Sequence, residues 1–199
     1  MNSGGSDGHG LKNKIKRASA GIVKVSLLAQ LTAAAILAMG LMTSVLVPSA
    51  TAQQVGSVTG LPLPRYVSLK SDRVNLREGP SKEHRTVWLF QRAGLPVEIT
   101  AEFDTWRKIR DSEGSEGWVL HSLLSGRRTV IISPWRKGAE QPLYSRASDT
   151  ADVVANLQTG VISNVRRCDR GWCRIYGSGY DGYMQQKLLW GVYPDEKVE

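Results

Sequence analysis

Hydrophobic and polar residues alternate with a two-residue period along most of the chain after residue 65. The stretches YVSLKS, LPVEITAEF and WRKIR place apolar side chains at every second position, the second of them through Val97, Ile99 and Ala101. Clusters rich in turn-forming residues, GPSKEH and DSEGSEG, separate these stretches. This period is typical of half-buried β-strands. Several such short strands between turn clusters predict a small β-barrel or sandwich.

The same order of landmarks occurs twice. With Trp106 aligned on Trp172, WRKIR meets WCRIY, and GWV at 117–119 meets GYM at 182–184 with one residue fewer between. Matching landmarks in the same order indicate a tandem duplication. We place the boundary between the copies near Gly126.

These patterns predict an order of segments along the chain. We expect the first β-domain at residues 65–126, the second at 127–193 and a short C-terminal tail at 194–199. Residues 53–64, QQVGSVTGLPLP, are rich in Gly, Pro and Gln without any periodicity, which favours a flexible spacer.

Residues 1–52 have the pattern of an export leader. The basic segment KNKIKR precedes an uncharged stretch, 25–47, and Ala50-Thr51-Ala52 follows it. This order of n-region, apolar h-region and A-x-A site predicts a signal peptide cleaved after Ala52. The uncharged stretch is also long enough to remain as an uncleaved membrane anchor. Both alternatives place the rest of the chain in the periplasm or otherwise outside the cytoplasm, with membrane contact only through the N-terminal segment.

The net charge of +8 is shared evenly between the leader and the rest of the chain. Five basic residues and one acidic residue lie in 1–52, which leaves +4 for the remaining residues. Because both signs are interspersed there, the charge gives no reason to expect a nucleic-acid partner.

The two cysteines, Cys168 and Cys173, flank the sequence DRGW. A turn at DRG would bring their strands back on each other. An exported chain meets an oxidising compartment, in which a lone pair of cysteines is normally a disulfide.

Candidate catalytic and metal-binding groups are sparse after residue 52. His84 and His121 have no recognisable nucleophile beside them in the sequence. Asp111, Glu113 and Glu116 lack the further ligands of a calcium loop, and they suit a solvated hairpin tip. We therefore assign no catalytic, metal-binding or cofactor-binding residues, and we expect a protein that is not an enzyme.

The first copy resembles the bacterial SH3-like (SH3b-type) domains in a combination of features. These are VNLREGPS, a glycine before an alternating strand, a tryptophan, and GWV followed by LL. Longer segments are similar to those of a family of exported two-domain proteins of Gram-negative bacteria. These segments are VWLFQRAGLPVEI, AEFDTWRKIRDSEGSEGWV, LLSGRRTV, CDRGWC and LLWGVYPDE. The resemblance implies an all-β fold of two tandem small SH3-like barrels after an N-terminal signal or transmembrane segment.

The resemblance also implies a binding function, because such domains often accompany cell-wall hydrolases and recognise peptidoglycan stems or bridges. The second copy has Arg146 where the first has Gly79, and Tyr183 where the first has Trp118. We therefore expect the first copy to hold the working groove.

For that groove we expect Trp88 and Trp106 to be apolar contacts and Arg77 and Arg107 to be carboxylate partners. Trp106 and Trp118 could instead belong to the barrel core. The expected partner is a peptide, from a peptidoglycan stem or an envelope protein. The alternative is a structural or regulatory subunit that docks to an envelope complex without a small ligand.

Overall fold

The structure is a computed structural model that describes residues 54–199. The predicted leader and its cleavage site lie outside the described residues. Within 54–199, no helix has the length and apolar character needed to cross a bilayer.

The first copy folds into a seven-stranded antiparallel sheet that forms a small barrel with β3 and β7 as its outer strands. In spatial order its strands run β3-β2-β6-β5-β4-β1-β7, and a 3₁₀ turn at His121–Leu123 connects β6 to β7. The strands are β1 (Arg65–Leu69), β2 (Val74–Arg77), β3 (Thr86–Phe90), β4 (Pro96–Phe103), β5 (Trp106–Arg110), β6 (Glu116–Leu120) and β7 (Leu124–Ser125).

The second copy repeats this topology strand for strand. Its spatial order is β10-β9-β13-β12-β11-β8-β14, with a 3₁₀ turn at Gln186–Leu188. The strands are β8 (Thr129–Ile132), β9 (Glu140–Tyr144), β10 (Val153–Gln158), β11 (Ile162–Asp169), β12 (Trp172–Gly177), β13 (Tyr180–Gln185) and β14 (Leu189–Trp190). The prediction of an all-β tandem repeat is confirmed.

Each barrel has its own apolar core, built from the inward-facing alternate residues of its strands. Fully buried members in the first barrel are Leu69, Val74, Leu76, Val97, Ile109 and Val119. Fully buried members in the second barrel include Val130, Ile132, Leu143, Ile175 and Met184. Burying one such side chain contributes about 1.5–3 kcal/mol, so these positions hold each barrel closed.

A β-bulge interrupts the alternation at the same place in each copy. The pairing of β4 with β5 shifts between Ile99 and Ala101, and the pairing of β11 with β12 shifts between Val165 and Arg167. A bulge adds one residue to a strand and so changes the face of the residues beyond it. The expectation that Ala101 continues the inward row is wrong, because Ala101 lies beside the outward-facing Lys108.

The residues just beyond each bulge form an inward-facing pair at the end of the central hairpin. In the first barrel Glu102 faces Arg107, and in the second Cys168 faces Cys173 and forms a disulfide with it. An ion pair and a covalent bond therefore occupy equivalent positions in the two copies.

A flanking segment packs over each of these pairs, residues 54–65 in the first barrel and the C-terminal tail in the second. The Glu102 carboxylate accepts hydrogen bonds from the backbone N–H of Thr59 at 2.9 Å and from the Arg65 guanidinium at 2.7 Å. At the other end of the chain, Val198 pairs with Cys168 through two backbone hydrogen bonds. The segment expected to be a flexible spacer is thus held against the first barrel from Gln54 onwards.

The two barrels are joined by an aromatic and acidic contact. The Tyr66 ring of the first barrel lies 5.4 Å from the Trp190 ring and 4.6 Å from the Tyr193 ring of the second. The Tyr193 hydroxyl donates a 2.8 Å hydrogen bond to the buried Glu98, which Arg110 also pairs. Burial and the nearby Glu98 raise the pKa of both tyrosines, so both hydroxyls stay protonated and uncharged.

Replacing Gly117 by alanine should destabilise the first barrel by about 1–3 kcal/mol, the usual cost of overpacking. A Cβ there would lie 2.6 Å from Cγ of Leu76 and 2.8 Å from the carbonyl oxygen of Arg77, a backbone atom that cannot easily move. Urea unfolding would measure the loss. Gly126→Ala is the control, because nothing lies within 4 Å of its Cβ position. Equal stability of the two variants would contradict the prediction.

Replacing Glu102 by glutamine should remove a pH dependence from the stability of the first barrel. Burial alone would raise the pKa of Glu102, but hydrogen bonds from Thr59, Arg65 and Val58 outweigh it and lower the pKa from 4.5 to about 2. A carboxylate with a lowered pKa stabilises the folded state at pH values above its ordinary pKa of 4.5. That contribution is lost as the pH falls from 4.5 towards about 2.

Unfolding free energies measured across this acid range should therefore fall more steeply for the unmodified chain than for Glu102→Gln. Glu113→Gln, which changes an exposed carboxylate at a hairpin tip, should retain the slope of the unmodified chain. Parallel curves for the unmodified chain and Glu102→Gln would refute the assignment.

Candidate functional site

The four residues expected to contact a ligand do not form one groove. Arg77 and Trp106 share a small cationic notch of about 140 Å³, which Arg73 and Lys82 also line. Trp88 lines a different depression, beside the hairpin tip at Asp111–Glu113.

Trp106 and Arg107 are buried, with 7% and 5% of their surface exposed. The Arg107 guanidinium donates to the carbonyl oxygens of Asp104 and Trp106 at 2.8 and 2.7 Å, and its Nε lies 3.5 Å from Glu102. Its donors are therefore largely occupied inside the barrel, where they compensate a buried carboxylate. Arg77 donates to the carbonyl of His84 at 2.7 Å and so holds the β2–β3 loop.

Trp88 is exposed over 57% of its surface, on the edge strand β3. Its neighbours Val87 and Leu89 are also exposed. The equivalent edge strand of the second barrel, β10, exposes Val153 and Val154. Both barrels therefore present apolar side chains at an unpaired sheet edge.

A further groove lies on the second barrel, the copy that was not expected to hold the working groove. Its volume is about 420 Å³. We call it the second-barrel groove. It is lined by Ala147, Arg167, Asp169, Arg170, Trp172, Arg174 and Tyr183.

Strand register assembles this groove. Arg167 pairs with Arg174, Arg174 pairs with Tyr183, and Tyr183 pairs with Tyr144, so that four strands contribute one continuous outward row. Cys168 and Cys173 point into the core, and alternation therefore sends Arg167, Arg174 and Trp172 to the outer surface.

Aromatic rings form the floor of the groove. The Trp172 ring meets the Tyr144 ring edge to face, with centroids 5.7 Å apart. The Arg167 and Arg174 guanidinium groups each lie 5.9 Å from the centre of the Tyr183 ring, and Arg167 also donates to the Tyr183 hydroxyl at 2.8 Å. Cation–π contacts of this kind hold a guanidinium in place without neutralising its charge.

The charge of the groove is partly balanced. Arg174 pairs with Asp181 through two hydrogen bonds of 2.7 and 3.2 Å, which raise the pKa of Arg174. At the hairpin tip Arg170 pairs with Asp169 at 3.0 Å. Within residues 54–199, no three acidic, histidine or cysteine side chains converge as metal ligands would.

Sequence reasoning missed this groove because the faces of its residues depend on strand register, which shifts at the bulge before Arg167. One signal was available. Setting Trp172 on Trp106 also sets Arg167 on Ala101 and Arg170 on Asp104, so that the second copy gains two cations on one hairpin.

Comparison with known proteins gives a consistent result for both copies. A family model described as "Bacterial SH3 domain" matches residues 70–126 and again residues 137–191. The two matches together span more than half of the chain. No curated protein matches it.

Solved structures with similarity to this chain include three with NlpC names. NlpC2 from Trichomonas vaginalis is 16% identical over 64% of this chain and 48% of its own, with a TM-score of 0.29. NlpC1 from the same organism is 17% identical over 68% and 48%, with a TM-score of 0.30. An NlpC/P60 family protein from Bacillus cereus ATCC 10987 is 12% identical over 62% and 55%, with a TM-score of 0.27. The chain spans about half the length of these proteins.

The predicted disulfide between Cys168 and Cys173 is present, and it fixes the hairpin that carries the groove. Replacing both cysteines by alanine should lower the unfolding free energy by about 2 kcal/mol, at the low end for disulfides because the enclosed loop is short. Denaturant unfolding with and without a thiol reductant measures this. The reductant should destabilise the unmodified chain and leave the double variant unchanged, and an unmodified chain that is insensitive to reduction would contradict the expectation.

Proposed function

Since the chain belongs to the bacterial SH3 domain family, we propose that it is a non-enzymatic binding module that recognises a peptide outside the cytoplasm. The proposed peptide comes from the cell envelope, as a peptidoglycan stem peptide or a segment of an envelope protein. The proposed working surface is the second-barrel groove.

The groove is the observation that carries this proposal. It combines a volume of about 420 Å³ with three guanidinium groups over a floor of tyrosine and tryptophan rings. Tyr, Trp and Arg are the residue types that dominate binding energy in protein recognition sites. An opening of this size suits a few residues of extended peptide better than a folded domain.

The proposed location outside the cytoplasm rests on two features. The first 52 residues have the n-region, h-region and A-x-A order of an export leader. The second barrel carries a disulfide, a bond that persists mainly in oxidising compartments.

A docking subunit without a small ligand is the second candidate, and one observation favours it. Val87, Trp88 and Leu89 are consecutive exposed apolar residues on an edge strand. An unpaired edge of this kind can add a strand from another protein. In this candidate the first barrel would hold the contact, with Trp88 at its centre.

Co-sedimentation with purified sacculi tests the proposal. We expect the full-length chain to sediment with intact sacculi and to be released by soluble stem peptides. Trp172→Ala should weaken retention by about tenfold or more, the scale of losing one aromatic contact at a binding centre. Trp135→Ala is the matched control, because Trp135 is 55% exposed and does not line the second-barrel groove.

Retention on glycan strands stripped of their peptides, or equal retention of both variants, would count against the groove as a peptide site. A folded chain that does not sediment at all would remove the cell-wall target and leave the docking candidate.

A further inference from the structure

The second-barrel groove carries more positive charge than its own acidic residues balance. Three arginines line it, and Asp169 is the one acidic residue among the lining side chains. The four cations of this face, including the neighbouring Arg166, share two carboxylates, those of Asp169 and Asp181. Arg170 pairs with Asp169, and Arg166 and Arg174 share Asp181, so Arg167 is the arginine of this face without an ion-pair partner among residues 54–199.

Arg167 is held in position by an aromatic side chain. One of its nitrogens donates to the Tyr183 hydroxyl at 2.8 Å while its guanidinium lies near the Tyr183 ring. Among residues 54–199 no carboxylate forms an ion pair with it. A guanidinium has five N–H donors in a planar fork, so most of the donors of Arg167 remain available. It is therefore a charged donor group that is already oriented.

The other arginines of the groove have different roles. Arg174 is committed to Asp181 by two hydrogen bonds, and Arg166 lies 3.5 Å from the same carboxylate. Arg170 is 91% exposed in its pair with Asp169, and an exposed pair contributes little to stability. Arg170 can therefore leave Asp169 for a ligand at small cost.

The first barrel lacks this arrangement at the equivalent positions. Asp104 and Arg170 occupy the same left-handed turn position, with φ of 45° and 47°. Ala101 stands in place of Arg167, and Lys108, in place of Arg174, is paired with Glu116 at 2.6 Å. The two barrels share a backbone and differ in charge, so the cationic groove is a property of the second copy alone.

From this geometry we infer that the second-barrel groove receives a carboxylate of its peptide, bound by Arg167 and Arg170, while the adjoining part of the peptide packs on Trp172. This rests on the proposed peptide-binding function and names the chemical group that the site recognises. A planar carboxylate matches the two parallel donors of the Arg167 fork, and such charge-assisted bonds are about twice as strong as neutral ones. The carboxylate is the C-terminus of the peptide or an acidic side chain.

The test compares stem peptides released from purified sacculi with the same peptides after their carboxylates are converted to amides. Binding to the full-length chain is measured by calorimetry, and the Nε–Hε signal of Arg167 is followed by NMR. We expect the native peptides to bind about tenfold tighter or more than the amidated ones and to shift the Arg167 signal. The affinity for the native peptides should fall as the salt concentration increases.

Arg167→Gln and Arg170→Gln should each lower the affinity for the native peptides towards that for the amidated ones. The affinity for the amidated peptides should not change. Both side chains are exposed, so the fold should tolerate the changes. Arg136→Gln is the matched control, an exposed arginine that does not line the groove. Synthetic copies amidated only at the C-terminus or only at the side chain identify which carboxylate is bound.

Two failures can be told apart. If native and amidated peptides bind equally, or if Arg167→Gln changes nothing, the carboxylate assignment is wrong while peptide binding stands. If neither form binds to the folded chain, the proposed recognition of stem peptides is refuted, and this inference with it.

Discussion

The pair of side chains that faces inward at the end of the central hairpin differs between the two barrels, and with it the polar groups that each hairpin leaves for its surface. In the first barrel this pair is Glu102 and Arg107, and in the second it is the disulfide of Cys168 and Cys173. An inward carboxylate must be compensated by hydrogen bonds because water is absent there. A disulfide needs no such compensation. The ion pair therefore uses polar groups of the first barrel that the disulfide does not require in the second.

The first barrel uses its charges internally. Glu102 holds the segment before β1 and pairs with Arg107, while Glu98 is buried between Arg110 and the Tyr193 hydroxyl of the second barrel. Removing one partner from such a buried group costs more than the bond contributes, because the remaining group is left without a partner. The Glu102 contacts therefore hold residues 54–65 on the first barrel, and the Glu98 contacts stabilise the junction of the two copies. Both sets contribute little to recognition of an external ligand.

Much of the fold could be predicted from the sequence, because alternation, turn clusters and the repeated tryptophan landmarks are local signals. The disulfide followed from compartment and spacing. The binding surface could not be predicted in the same way. Arg107 resembles an exposed strand residue until its hydrogen bonds to the Asp104 and Trp106 carbonyls are known. The row from Arg167 to Tyr144 depends on pairings across four strands and on one bulge, which no short window of sequence contains.

Duplication followed by divergence accounts for the division between the copies in physical terms. Both copies keep a glycine at the same place, Gly117 on β6 and Gly182 on β13. A Cβ at either position would lie 2.8 Å from a backbone carbonyl oxygen of the neighbouring strand. This close approach of the backbone is a packing requirement of the barrel, and it is the same in both copies. The hairpin tip is free of it, so Asp104 and Arg170 can differ in charge at one backbone conformation. A duplicated barrel can therefore keep its core and change the ligand chemistry of one copy by substitutions on a single hairpin.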